Sequence, residues 1–307
     1  MTADELRRLD RVAHNRLSLW VALVMALIGL TAFVILFNLL PEVGEETNRA
    51  TLMLLGVLIS LAPAGLWLGV FYRLDRLEPE PKQLVAGVFV LGALVTAALH
   101  RPVLQGLFEV DRWLYDQWWA QLLGGILVVG FFEQWLIFLT VRYSVYTHRE
   151  FDERVDGVIY ATAAGLGMAT VLNIVYVVER GGVDLDIGSI RIVVNALAYA
   201  SFAGIQGYFM GQARFETTPV HYLPAGLSLA AVANGLFFFV LAQSGSGALS
   251  YWPWRDLILA TAVAVVALGV VFWLVARANE ETLRLLRQRG QGSHAPDHTA
   301  ATGGADS

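Results

Sequence analysis

The chain has 307 residues, 56% of them hydrophobic and only 15% charged, with a mean hydropathy of +0.57. A soluble domain carries about 25% charged residues, so the composition excludes an ordinary water-soluble globule and points to a polytopic α-helical membrane protein. The absence of cysteine removes thiol catalysis, Cys-ligated zinc and iron–sulfur clusters, and a net charge of −5 argues against a nucleic-acid partner.

A bilayer core about 30 Å thick is crossed by about 20 apolar residues in a helix. Eight stretches qualify, at 17–40, 50–72, 84–99, 118–141, 157–178, 192–213, 222–243 and 257–276. The third is short and ends against His100 and Arg101, and the fourth contains one charge, Glu133. The expected fold is therefore all-α, a bundle of about eight transmembrane helices in contact with membrane lipids. Residues 1–16 read as a cytoplasmic N-terminal segment and 17–276 as the transmembrane domain. Residues 277–307 read as a helix extension followed by a disordered tail. Between the third and fourth spans, residues 105–115 mix apolar side chains with Glu109, Asp111 and Arg112, which suits either an interfacial segment or a loop.

With an inside N-terminus, 15 of the 21 basic residues fall on the same side of the membrane. The positive-inside rule then places both termini in the cytoplasm. The first hydrophobic run is too long for a signal peptide and has no small-residue cleavage site, so none is expected. Abundant Gly and Ala within the spans imply closely packed helices. A basic complement of 20 Arg against one Lys is in keeping with a GC-rich bacterial coding sequence.

Polar groups inside a bilayer are costly, so each raises a functional question. Glu133 is the only carboxylate well inside a span, and Gln134 follows it. Two readings of Glu133 stand open: a metal ligand, general base or proton site, or a hydrogen-bonded strut between helices. The other interior polar residues are neutral: Asn173, Tyr176, Asn195, Tyr199, Gln206, Tyr208 and Asn234. Helical spacing puts Asn173 with Tyr176, and Asn195 with Tyr199, on shared faces. Interhelical bonds or a lined cavity both account for them. His100 and His221 sit near the ends of their spans, where neither is an obvious site residue. The densest charged stretch is Tyr72-Arg-Leu-Asp-Arg-Leu-Glu-Pro-Glu-Pro81. There Asp75, Arg76, Glu78 and Glu80 read as a structural loop, ion-paired and stiffened by its prolines, in preference to a hard-cation site.

That loop resembles one found in PrsW-type intramembrane metalloproteases, ahead of a span carrying a Phe-x-x-Gly-Ala element. Here the element is Phe89-Val-Leu-Gly-Ala93. Downstream, Phe151-Asp-Glu-Arg-Val-Asp-Gly-Val-Ile-Tyr160, Gly165-Leu-Gly167, Gly207-Tyr208 with Gly211, and Asn234-Gly-Leu-Phe237 follow the family's landmarks in order. The resemblance runs from about residue 70 to residue 240 and implies the family's membrane-embedded fold.

At the positions where the resemblance implies catalysis, the chain departs from the pattern. Glu-Glu-x-x-Lys reads Glu133-Gln134-Trp135-Leu136-Ile137. Phe-x-x-x-Glu followed by Asn-x-x-Tyr reads Met168 and Leu172, with Asn173 and Tyr176 kept. A histidine corresponds to Tyr199, and His-x-x-x-Asp or His-x-x-x-Asn becomes Asn234 and Phe238. A catalytic zinc takes about three His, Cys or carboxylate ligands and leaves a position open for water.

The expectation is therefore a pseudoprotease that binds or scaffolds transmembrane protein clients, with no metal and no cofactor. Glu133, Gln134, Asn173, Tyr176, Tyr199 and Asn234 would then form a neutral polar cluster at the degenerate site. The alternative is an active peptidase with an altered site using Glu133, with zinc if the family's activity is retained. A transporter built on the lone intramembrane acid is a third reading, opposed by the lack of internal repeats.

Overall fold

A computed structural model describes residues 3–39, 48–74, 81–182, 185–246 and 253–292. The expected charged loop at Asp75, Arg76, Glu78 and Glu80 and the expected disordered tail from residue 293 lie outside the described residues. Among the described residues the regular secondary structure is all helix, from α1 (Ala3–Leu39), α2 (Arg49–Leu74) and α3 (Lys82–Arg101) onward. A π-helical turn, Pro102–Leu107, continues α3, and the single turn α4 (Val110–Trp113) follows. Next, α5 (Trp118–Gly124), a second π-helical stretch at Gly125–Gly130 and α6 (Phe131–Ser144) run on as one rod. The set closes with α7 (Arg154–Arg180), α8 (Leu185–Phe215), α9 (Tyr222–Ser246) and α10 (Pro253–Gly292).

Seven of these helices are long and apolar enough to cross a bilayer, and α1 adds a shorter apolar stretch at Leu23–Leu39. The protein is an all-α, multi-pass membrane protein. The third span differs from its sequence reading. It runs from Lys82 to Leu107, because the π turn carries the helix past Pro102. A buried backbone in lipid must keep its hydrogen bonds internal, and the wider turn does so where proline has no N–H to give. His100 is thereby drawn inside the span. Arg101 turns outward to pair with Glu179 at 3.2 Å.

The α7 and α8 helices form the centre, mostly covered by protein, while the other spans each leave a face toward lipid. Between lipid-embedded helices there is no hydrophobic driving force, so close van der Waals approach does the work. Glycine supplies it. A Cβ on Gly92 of α3 would stand 2.5 Å from the Ala164 carbonyl oxygen of α7, and one on Gly167 would enter the Phe89 carbonyl. On the other side of α7, a Cβ on Gly165 would stand 2.8 Å from the Tyr199 carbonyl oxygen of α8. Gly157 and Gly207 meet backbone to backbone, and Gly211 lies against Arg154.

Several of the landmarks that carried the family resemblance are thus packing or capping elements. Phe-x-x-Gly-Ala and Gly167 are the two halves of the α3–α7 crossing, while Gly165 faces α8. In Phe151-Asp-Glu-Arg-Val-Asp-Gly, Phe151 is buried, and Glu153 and Asp156 form a reciprocal capping box that starts α7. The Glu153 backbone N–H donates to Asp156 Oδ2 at 2.6 Å. Capping boxes satisfy donors that the first helical turn leaves unpaired.

These crossings leave no room for a methyl group. Gly167→Ala or Gly207→Ala should lower stability by about 1–3 kcal/mol, the usual cost of overpacking. Gly87, with nothing within 4 Å of its Cβ position, should accept alanine with no loss. Thermal unfolding of the purified variants in detergent measures the difference.

Candidate functional site

Three helices converge on Glu133. In α6 it follows the π-helical stretch Gly125–Gly130, whose glycines admit α9. A Cβ on Gly130 would stand 2.6 Å from the Ala231 carbonyl oxygen, and one on Gly235 2.6 Å from the Ile126 Cα. That intimate contact sets Asn234 beside Glu133. π-helical segments within α-helices often mark sites where a side chain must be re-aimed, and here the turn precedes the buried carboxylate of the span Trp118–Ser144.

The Glu133 carboxyl is buried and has a partner on each oxygen. Asn234 Nδ2 donates to Oε2 at 2.7 Å, and His100 Nε2 pairs with Oε1 at 3.0 Å. The Glu133 side chain is 4% exposed and that of His100 22%, so the imidazole forms the rim of the site and the carboxylate its floor. Tyr199 of α8 brings its phenol within reach of the same carboxylate. The site is a polar knot of His100, Glu133, Tyr199 and Asn234, drawn from α3, α6, α8 and α9.

The six residues of the expected cluster do not all meet. Glu133, Tyr199 and Asn234 converge. Asn173 instead ties α7 to α8: its Nδ2 donates to the Ile192 carbonyl at 3.1 Å and its Oδ1 accepts from Asn195 Nδ2 at 2.8 Å. Tyr176 lies beneath two arginines, with the Arg191 guanidinium 4.1 Å and that of Arg180 5.1 Å from its ring centre. Gln134 is fully buried beside Glu133, and neither end of its carboxamide has a hydrogen-bond partner.

His100 is the site residue that sequence reasoning passed over. Its signal was periodicity. Val88, Gly92 and Thr96 are the buried residues of α3, and His100 continues their four-residue spacing on the inward face. The shorter third span expected from hydropathy hid this by setting His100 at the membrane boundary.

The replaced positions are filled by apolar contacts. Leu172 packs into the cluster that contains Leu136, Ile137 and Tyr199. The rings of Tyr199 and Phe238 lie 5.7 Å apart, and Phe238 in turn meets Phe237. Two positions that the resemblance assigns to a histidine and an acid or amide have thus become a single aromatic contact.

This donor set does not fit a catalytic zinc. Among the described residues no three His, Asp or Glu side chains gather. His100 and Glu133 are the only strong ligand types here, and they bind each other. Asn234 turns its amide N–H, not its oxygen, to the carboxylate; its Oδ1 has no partner. The knot can hold and share a proton, orient one imidazole and lock four helices together.

Comparison with known proteins adds a lineage to this geometry. The family model described as PrsW family intramembrane metalloprotease matches residues 80–281. A protein named protease PrsW from Oceanobacillus iheyensis is 28% identical over 233 residues, covering 73% of this chain and 95% of its own length. The Bacillus subtilis protease PrsW is 28% identical over 62% of this chain and 83% of its own. That of Clostridioides difficile is 26% identical over 60% and 79%. No solved structure matches the chain.

If Glu133 and Asn234 are true partners, their substitutions should not add. A double-mutant cycle with Glu133→Ala and Asn234→Ala should give a coupling of about 1 kcal/mol, toward the upper end for hydrogen bonds between transmembrane helices. Gln134→Met, which removes an unpartnered amide, should leave thermal stability unchanged or raise it.

Proposed function

This chain belongs to the PrsW family of intramembrane metalloproteases, and from that premise we propose that it is a non-catalytic member that binds or scaffolds other membrane proteins. The observation that carries the reading is the state of Glu133. Both of its oxygens are engaged by His100 and Asn234, and Leu172 and Phe238 supply hydrocarbon where the family pattern has polar groups. Metal-assisted hydrolysis calls for a cation held open to water; these residues instead close on one another. In this reading the protein resides in the cell membrane with both termini in the cytoplasm. It uses no cofactor and takes single-span membrane proteins as clients through its lipid-facing helices.

A second reading is favoured by the His100–Glu133 pair. An imidazole oriented by a buried carboxylate is a standard arrangement for a general base, so an altered-site peptidase using Glu133 is the alternative. The two readings part in a cleavage assay. Wild-type protein and Glu133→Gln, reconstituted with a panel of single-span membrane proteins, should both leave the panel intact and retain the same crosslinked clients. Cleavage by the wild type that disappears in Glu133→Gln and in His100→Ala would establish the peptidase instead.

A further inference from the structure

Away from the knot, two arginines converge on a single buried ring. Arg142 lies in the last turn of α6 and Arg214 in the last turn of α8. Their guanidinium carbons stand 4.4 Å and 5.8 Å from the centre of the Tyr146 ring. That ring is fixed in place. Tyr146 is buried and packs on Phe151 at 5.4 Å, and Phe151 stacks on Tyr160 and Phe215 at 5.9 and 6.2 Å.

The two positive charges have no carboxylate among the described residues to answer them. Three of the acids nearby in the chain, Glu216, Glu150 and Asp156, are engaged elsewhere. Glu216 pairs with Arg154 at 2.7 Å and Glu150 with Arg149 at 2.9 Å. Asp156 accepts the backbone N–H groups of Asp152 and Glu153. Helix C-termini offset like charges only in part, with about half an elementary charge each. Two planar guanidinium groups set against one aromatic ring, with no described carboxylate paired to either, form a receptor for a phosphate oxyanion.

The location selects the source of that phosphate. Arg142 and Arg214 close the candidate spans Trp118–Ser144 and Ile187–Phe215, where a lipid headgroup sits. Tyr143, next to Arg142, is 83% exposed, and Phe215, next to Arg214, is 41% exposed, so apolar surface for acyl chains adjoins both charges. We propose that Arg142, Arg214 and Tyr146 form a binding site for the phosphodiester of an anionic glycerophospholipid at the end of the α6–α8 pair. The site is independent of the fate of Glu133 and would pin the two helices in register from the membrane surface.

Native mass spectrometry of the full chain, released from detergent with equal phosphatidylglycerol and phosphatidylcholine, tests this. Wild-type protein should retain phosphatidylglycerol preferentially, and Arg142→Gln with Arg214→Gln should lose that preference by roughly 25-fold. Arg112→Gln with Arg149→Gln removes the same charge from two exposed, ion-paired arginines and should change little. Arg214→Gln alone, at an exposed side chain that folding tolerates, should lose roughly fivefold. An unchanged preference in the Arg214 and double variants overturns the proposal. So does equal loss in the Arg112 and Arg149 control, which would make the effect one of bulk charge. Inorganic phosphate that binds wild type and displaces phosphatidylglycerol at equal concentration would assign the pair to a free anion and overturn the lipid site.

Discussion

A carboxylate placed in the interior of a membrane protein must find partners, and the arrangement around Glu133 follows from that requirement. The penalty for leaving such a group unpaired in a low-dielectric interior far exceeds what any single contact returns. Glu133 meets it with one partner on each oxygen, from helices far apart in sequence. An imidazole and an amide contact the carboxylate, and the aromatic pair Tyr199–Phe238 lies beside them. Removing either polar partner would leave one carboxylate oxygen without its bond.

The glycine crossings make that arrangement geometrically possible. Gly130 and Gly235 let α6 and α9 approach until Asn234 reaches Glu133, while Gly92 and Gly167 bring α3 against α7 so that the inward face of α3 ends in His100. Overpacking any of these contacts would pull the knot apart before touching its polar atoms. Fold and site therefore rest on one device, small residues at helix crossings, used first for packing and then for placing side chains to within hydrogen-bonding distance. The family's sequence landmarks read the same way. The capping box, the α3–α7 crossing and the α7–α8 crossing hold the frame together without calling on the polar residues around Glu133.

Much of the frame was legible in the sequence because hydropathy is a local property that lipid enforces strongly. Seven of the eight expected spans reappear as long apolar helices, and the first lies within α1. The site was less legible. Asn173 and Tyr176 share a helical face with each other, and the resemblance implies that they join Glu133, yet that face turns toward α8 and the arginines. One-dimensional spacing says which residues of a helix are neighbours, not which other helix they face. His100 escapes hydropathy for a related reason: a π turn beyond a proline has no hydropathy signature, so composition ends the span before the helix does. The four-residue spacing of Val88, Gly92, Thr96 and His100 was in view all along, and only the partner helix gives it meaning.

The most direct test of the account concerns what Glu133 holds. Protein purified from cells grown with added zinc and manganese, washed without chelator, should carry far less than one transition-metal ion per chain, and Glu133→Gln should not alter the value. One tightly held ion per chain that disappears in Glu133→Gln would contradict the account, for the carboxylate would then belong to a metal centre.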